Sequence, residues 1–258
     1  MEVESYEHGV PSWVDHSSAD PGKAGAFYSE LFGWDVQAGP PEAGGYAMAT
    51  KNGRQVAGIG PAQGPGPTAW ATYINVDSVD DIAARVEAAG GRVLMPPMDV
   101  MDAGRLGMFA DPSGAVFGAW QPGAHKGAGL VNEESTFGWN ELITDDVEGA
   151  KSFYKAVFGW EPATQEQGGG PGYTEFKVGG RSIAGMMGRP PGMPAGAPPF
   201  WGVYFIVPDT DAAAAKIKEL GGALMMGPQD IPIGRIAVVA DPLGAVFNII
   251  AMSPPPEG

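Results

Sequence analysis

Residues 12–35, SWVDHSSADPGKAGAFYSELFGWD, return in altered form as residues 138–161, GWNELITDDVEGAKSFYKAVFGWE. Trp13 matches Trp139, Asp15 matches Glu141, Phe27-Tyr28 matches Phe153-Tyr154, and Phe32-Gly33-Trp34 matches Phe158-Gly159-Trp160. The offset is constant, since 139 − 13, 153 − 27 and 160 − 34 all equal 126. An offset held over so many identities marks a duplicated chain, and a repeat constrains architecture before any local pattern does. Each copy opens with apolar and polar residues in alternation, the period of a strand, which sets Trp13, Asp15 and Ser17 on one face. Asp20-Pro21 then supplies a capping acceptor and a first-turn proline. Ala24, Phe27 and Leu31 recur at helical spacing, and Gly33 ends the helix.

Outward from this core the same order of elements recurs. Strands are expected at 46–50 and 54–59 around the hairpin dipeptide Asn52-Gly53. A second unit follows: a strand at 70–76, Ser78 with Asp81 in the pattern of a capping box, and a helix striped by Ile82, Val86 and Ala89 that ends at Gly90-Gly91. Strands at 92–95, 104–110 and 115–120 complete it, the last two joined by the turn Asp111-Pro112-Ser113-Gly114. The second half repeats these events through 173–178, Gly179-Gly180, 181–187, a strand at 201–207, a helix of Ala214, Ile217 and Leu220, and Asp241-Pro242-Leu243-Gly244. The chain reads as four βαβββ units, two in a first domain (1–125) and two in a second (135–258), with a polar, glycine-rich linker at 126–134. Segments 64–67 and 188–199 read as loops, and Pro254-Pro255-Pro256 as a frayed tail.

Composition narrows the function classes. A formal charge of −15 over 258 residues repels phosphate backbones and argues against a nucleic-acid partner. No apolar run approaches the ~20 residues of a membrane span. The acidic start MEVESYEHG lacks the basic and apolar regions of a signal peptide, so a cytoplasmic protein is expected. Without cysteine the chain has no disulfide framework, thiol nucleophile or thiolate metal site. Neither a phosphate-binding loop, a dinucleotide fingerprint nor a Ser-His-Asp arrangement is present. The expected partner is a small-molecule ligand, and the chain itself is expected to be a monomer or a homodimer.

With FY and FGW after the first helix of each half and DPxGAxF around its last hairpin, the chain resembles the vicinal oxygen chelate superfamily. This is the glyoxalase, bleomycin-resistance and extradiol dioxygenase group, and the likeness is nearest to two-domain glyoxalase-like proteins of actinomycetes. The resemblance implies an α+β fold in which four βαβββ units pair into two curved, incomplete β-barrels. Helices would lie on the outer face and a ligand on the concave face of each half. Family enzymes hold a divalent metal there with His, Gln or Glu from the first and last strands. Counting back seven residues from helix caps placed at Asp20, Asp77, Asp146 and Pro208 puts Trp13, Trp70, Trp139 and Trp201 at the first-strand seat. The last-strand seats fall at Gly118 and Asn248, and the closing strands of units one and three offer Gly58 and Gly185. An indole has no lone pair for a metal, so no metal ligand and no cofactor are expected. A divalent metal held by a non-standard ligand set, in a lyase, isomerase or dioxygenase, is the alternative.

Asp15 and Glu141 are the catalytic candidates, because a carboxyl walled by indoles has a raised pKa and can act as general acid or base. The competing reading bonds them to backbone or to an arginine, with Arg105 and Arg235 available. Trp13, Trp70, Tyr46, Met48 and Met108 would line the first cleft, and Trp139, Trp201, Tyr173, Met186 and Met187 the second. Glu175, whose counterpart is Met48, sits on a strand facing either way. Aromatic and methionine residues are most often ordinary core. Four of seven tryptophans at one seat nevertheless point to stacking against a planar ligand. His16 is read as facing the helices, opposite to Asp15, and His8 and His125 fall in the terminal arm and the linker. The expected function is a glyoxalase- and bleomycin-resistance-like protein that binds a small apolar or aromatic molecule. It would act as a binding or resistance protein, or as a metal-independent enzyme of secondary metabolism.

Overall fold

Asp20 accepts a hydrogen bond from the Lys23 amide at 2.9 Å, Pro21 opens the helix, and Gly33 closes it in the left-handed conformation at φ 71°. Asp146 and Gly159 do the same for the copy. The computed structural model describes residues 1–62, 64, 66–165, 172–193 and 196–253. The triple proline at 254–256, Pro65 in the first proline-rich loop and Pro194-Ala195 in the second lie outside the described residues.

In the first half the order is β1 (Pro11–Ser18), α1 (Pro21–Phe32), β2 (Asp35–Ala38), β3 (Ala47–Lys51) and β4 (Arg54–Pro61). Then come β5 (Ala69–Asn75), α2 (Val79–Ala88), β6 (Arg92–Val100), β7 (Gly104–Ala110) and β8 (Val116–Pro122). The second half runs β9 (Phe137–Thr144), α3 (Val147–Phe158), β10 (Glu161–Gln165), β11 (Tyr173–Val178), β12 (Arg181–Gly188), β13 (Phe200–Ile206), α4 (Thr210–Glu219), β14 (Ala223–Ile231), β15 (Gly234–Ala240) and β16 (Val246–Met252). Among the described residues no helix is long and apolar enough to cross a membrane. Each half forms one eight-stranded mixed sheet, ordered β2-β3-β4-β1-β5-β8-β7-β6 and β10-β11-β12-β9-β13-β16-β15-β14. The two units of a half meet through antiparallel pairing of β1 with β5, or of β9 with β13. Neither sheet closes, so the architecture is the expected α+β fold of paired, incomplete barrels. The short edge strands β2 and β10 complete the βαβββ order that the sequence only partly displays.

Alternation along β1 and β9 sends one row of side chains to the helices and the other to the opposite face. The helix-side rows of the two halves meet each other. One apolar core joins Phe27, Tyr28, Phe32 and Trp34 of the first half to Phe205, Ile217 and Phe247 of the second. The other joins Ile82, Val86 and Phe117 to Phe153, Tyr154, Phe158 and Trp160. Hydrogen bonds cross at the same places. Trp70 Nε1 donates to the Tyr28 hydroxyl at 2.9 Å, which donates to Asp241 Oδ2 at 3.0 Å. The copy runs from Trp201 through Tyr154 (2.9 Å) to Asp111 of the first half (3.1 Å). Trp34 Nε1 donates to the Ser135 carbonyl and Trp160 Nε1 to the Gly9 carbonyl, each at 2.7 Å. FY, FGW and DPxG are thus one device: each half's tyrosine and tryptophan fasten to the other half's turn and backbone.

His16 adds an element that its counterpart Leu142 lacks. It is fully buried, and its Nε2 lies 2.7 Å from Asp241 Oδ2. Burial raises the Asp241 pKa, but the bond and charge of His16, together with the Leu243 and Ala245 amides, outweigh it and hold the carboxyl below the ordinary aspartate value. His16 therefore belongs to the seam between the halves, facing away from Asp15.

Candidate functional site

The face of each sheet turned away from the helices carries a carboxyl group held by two tyrosines and bordered by a tryptophan. In the first half, register places Asp15 level with Gly58 of β4 and Ala71 of β5. Gly58 is level with Met48 of β3. Trp13 is level with Tyr73, which is level with Gly118 of β8 and through it with Met108 of β7. The Tyr73 hydroxyl donates to Asp15 Oδ2 at 3.0 Å, and the Tyr46 hydroxyl approaches the same oxygen at 3.4 Å while accepting from Trp13 Nε1 at 3.0 Å. In the second half the Tyr204 hydroxyl donates to Glu141 Oε2 at 2.6 Å, and Trp139 Nε1 donates to the Tyr173 hydroxyl at 2.9 Å. The Tyr173 hydroxyl also lies near enough to the Glu141 carboxyl to lower its pKa.

Removal from water dominates the electrostatics. Burial raises the Asp15 pKa from 3.8 to about 7, and the bonds from Tyr73 and Tyr46 offset only part of that effect. Glu141 is raised for the same reason, against bonds from Tyr204 and Tyr173. Burial also drives Tyr46, Tyr73 and Tyr204 well above the ordinary phenol value, with the neighbouring carboxylate adding to the effect. The phenols therefore keep their protons and act as donors, while in the first half Asp15 is the group that changes charge near neutrality. Such a group can donate a proton to a bound oxygen or remove one from a bound hydroxyl.

Two of the four tryptophans stand elsewhere than the count from the helix caps puts them. Trp70 is level with His16 and Trp201 with Leu142, so both face the helices and belong to the seam. The reason is a one-residue error in the caps: α2 is capped by Ser78 and α4 by Asp209, each one residue beyond the position assumed. Seven residues before those caps stand Ala71 and Gly202. Met186 is also on the helix side, fully buried and level with Leu142. Its neighbour Met187 is on the cleft side. Trp13, Tyr46, Met48, Met108, Trp139, Tyr173 and Glu175 lie on the cleft side with Asp15 and Glu141, and Glu175 is level with Gly185 as Met48 is with Gly58. Arg105 pairs with Asp80 and Asp99, and Arg235 with Asp211 and Asp230, at the surface and away from either cleft carboxyl.

Tyr73 and Tyr204 are the site residues that sequence reading missed. A signal for them exists. Counted from the observed caps, 20 − 15, 78 − 73, 146 − 141 and 209 − 204 all equal five, so Asp15, Tyr73, Glu141 and Tyr204 occupy one position in the four units.

Of the metal seats implied by the resemblance, only Asn248 carries a possible donor, a single neutral amide oxygen. Glycines there give room to the tyrosine rings. A Cβ built on Gly58 would stand 1.8 Å from the Tyr46 hydroxyl, one on Gly185 2.0 Å from the Tyr173 hydroxyl, and one on Gly118 2.3 Å from Tyr73 Cδ1. Among the described residues no group of three or more His, Cys, Asp or Glu side chains is placed to hold a metal ion. The donor set does not fit the divalent ion of the superfamily's enzymes. Gly118→Ala is accordingly expected to cost about 1–3 kcal/mol, because the Tyr73 ring must leave its bond to Asp15. Denaturant unfolding measures it, and an unchanged midpoint would contradict the ring-over-glycine arrangement.

A family model described as Glyoxalase/Bleomycin resistance protein/Dioxygenase superfamily matches residues 13–118 and 136–249. "Putative glyoxylase CFP32" of Mycobacterium tuberculosis is 45% identical over 257 residues, spanning 96% of this chain and 97% of that protein. "Anthracycline biosynthesis protein DnrV" of Streptomyces peucetius is 37% identical over 262 residues, spanning 95% of this chain and 94% of that one. Among solved structures, the Mn(II)-bound glyoxalase from Novosphingobium aromaticivorans superposes with a TM-score of 0.65 at 17% identity, covering 95% of this chain and 83% of that one. The 2,2',3-trihydroxybiphenyl 1,2-dioxygenase of Sphingomonas wittichii strain RW1 gives 0.63 at 18% identity, covering 95% and 91%. At those identities the structural likeness establishes the fold alone.

Proposed function

Because the chain belongs to the glyoxalase/bleomycin resistance protein/dioxygenase superfamily, we propose that it binds a small, planar, largely apolar molecule on the cleft face of one or both halves. It does so as a binding or resistance protein, or as a metal-independent enzyme of secondary metabolism. One observation carries the reading: the same carboxyl, two tyrosines and tryptophan recur in both halves, over the glycines where metal ligands would otherwise stand. A relative named for anthracycline biosynthesis favours a polycyclic aromatic ligand with carbonyl and hydroxyl groups at its edge. A neutral Asp15 or Glu141 donates to such a carbonyl, and the ionised form accepts from a hydroxyl. Where the ligand is chemically changed, the same carboxyl transfers the proton.

Tryptophan-fluorescence titration with 1,4-dihydroxyanthraquinone, in the presence of EDTA, tests this. Saturable quenching is expected. Trp139→Ala should weaken binding at least about tenfold, the equivalent of ~1.4 kcal/mol and within the range of one aromatic contact. Absence of saturable quenching across a panel of planar quinones would sink the proposal. Binding that EDTA abolishes and a divalent cation restores would instead favour a metal-dependent lyase, isomerase or dioxygenase.

A further inference from the structure

The two cleft faces are related by the duplication, yet among the described residues one has a side chain seated on its tryptophan and the other does not. In the first half the linker folds back along β1 and β4: the Ala128 amide donates to the Ser12 carbonyl and the Gly129 amide to the Gln55 carbonyl, both at 2.8 Å. This places the His125 ring edge-on against Trp13 at 4.4 Å between centroids, with Nδ1 2.9 Å from Gln55 Oε1. Burial lowers the His125 pKa to about 4, so the seated ring is a neutral imidazole. Trp13 is left only 5% exposed.

The counterparts of Ser12 and Gln55 are Gly138 and Ser182, and both line a cavity of about 270 Å³ together with Trp139, Arg181 and Ile183. The N-terminal arm closes its other side through Val3, Tyr6 and Val10, and the counterparts of Trp13 and Gln55, which His125 touches in the first half, both border it. Trp139 is partly exposed, and it alone among the seven tryptophans has no ring partner among the described residues. By sequence, the offset of 241 − 111 = 130 that relates the two DPxG turns carries His125 to Pro255, so the second copy encodes no imidazole for this seat. The polar lining differs in kind. Ser182 stands at the position of Gln55 and donates its hydroxyl to Glu175 Oε2 at 2.7 Å. A serine oxygen whose proton is committed to a carboxylate presents lone pairs, which accept from a donor.

We infer that the cavity beside Trp139 is a ring-binding subsite for a planar heteroaromatic or aryl group that carries an N–H, seated as His125 is seated on Trp13. The inference rests on the cleft-binding reading and specifies which half receives the ring and what chemistry the ring bears. Ser182, its own proton held by Glu175, accepts from the N–H, Trp139 supplies the aromatic wall, and the first half is closed to the same ligand by its own linker.

The test is a titration of benzimidazole into the full chain, followed by the seven indole N–H resonances in ¹H–¹⁵N spectra, with that of Trp139 identified by its loss in Trp139→Phe. The expected result is a saturable shift of the Trp139 signal and none at Trp13. Affinity should fall at least fivefold for 1-methylbenzimidazole, which lacks the N–H, and a similar fall is expected in Ser182→Ala. A Trp139 signal that fails to move, a shift confined to Trp13, or equal binding of the methylated probe would overturn the inference. Quinone binding retained in any of those cases would remove this subsite alone, whereas its loss as well would remove the cleft reading on which the subsite rests.

Discussion

Asp15→Asn is expected to stabilise the protein at pH 8 by about 2–4 kcal/mol and to leave it nearly unchanged at pH 4. The magnitude follows from a carboxyl whose pKa rises from 3.8 unfolded to about 7 folded, at ~1.4 kcal/mol per unit. Below 3.8 both states hold the proton and no difference arises. Between 3.8 and 7 the unfolded chain releases it while the folded chain retains it, so stability falls as pH rises. Above 7 the penalty is complete and constant. An asparagine keeps the acceptor for Tyr73 and never ionises. Chemical unfolding at the two pH values measures the crossover, and an Asn variant less stable than the native chain at pH 8 would refute a neutral, desolvated Asp15. Glu141→Gln should move in the same direction, since burial is the leading cause there too.

Asp241→Ala is expected to cost about 3–5 kcal/mol, far more than His16→Leu. Asp241 Oδ1 accepts from the Leu243 and Ala245 amides at 2.8 and 3.0 Å, closing its own turn, while Oδ2 accepts from Tyr28 and pairs with His16 of the other half. Truncation strands a fully buried imidazole and a fully buried phenol, and removing one partner of such a set is the costly case. The His16→Leu cost should stay below about 1.5 kcal/mol, the range of tolerated core replacements. Asp111 already lives with that arrangement, holding Tyr154 and its turn amides while Leu142 occupies the position of His16. Denaturant midpoints of the two variants decide the matter. Equal losses would mean that the imidazole, rather than the turn aspartate, organises the seam.

The fold was legible because its signals are local and occur twice. Cap residues, the FGW helix ends and the DPxG turns each mark a boundary, and their common offset ties the boundaries into units. The edge strands β2 and β10 were not, since four or five mostly exposed residues show no burial period. At the site, Asp15, Glu141, Trp13 and Trp139 were legible from strand alternation and a correctly placed aspartate cap. Trp70 and Trp201 were misplaced because alternation has period two, so one residue of error in the cap reverses the face. The partners of Tyr28, Tyr154, Trp34 and Trp160 lie 213, 43, 101 and 151 residues away, and no local pattern announces a bond at such separations.

The linker that seats His125 occurs once, although nearly everything it touches occurs twice. Had the halves been two identical subunits, any segment folded over one cleft would also fold over the other, and an imidazole at one seam would appear at both. Covalent joining removes that obligation. The chain behaves as a heterodimer that never has to find its partner. One copy is free to cover its tryptophan and strengthen the seam without the other doing so, and a single change acts on one face only.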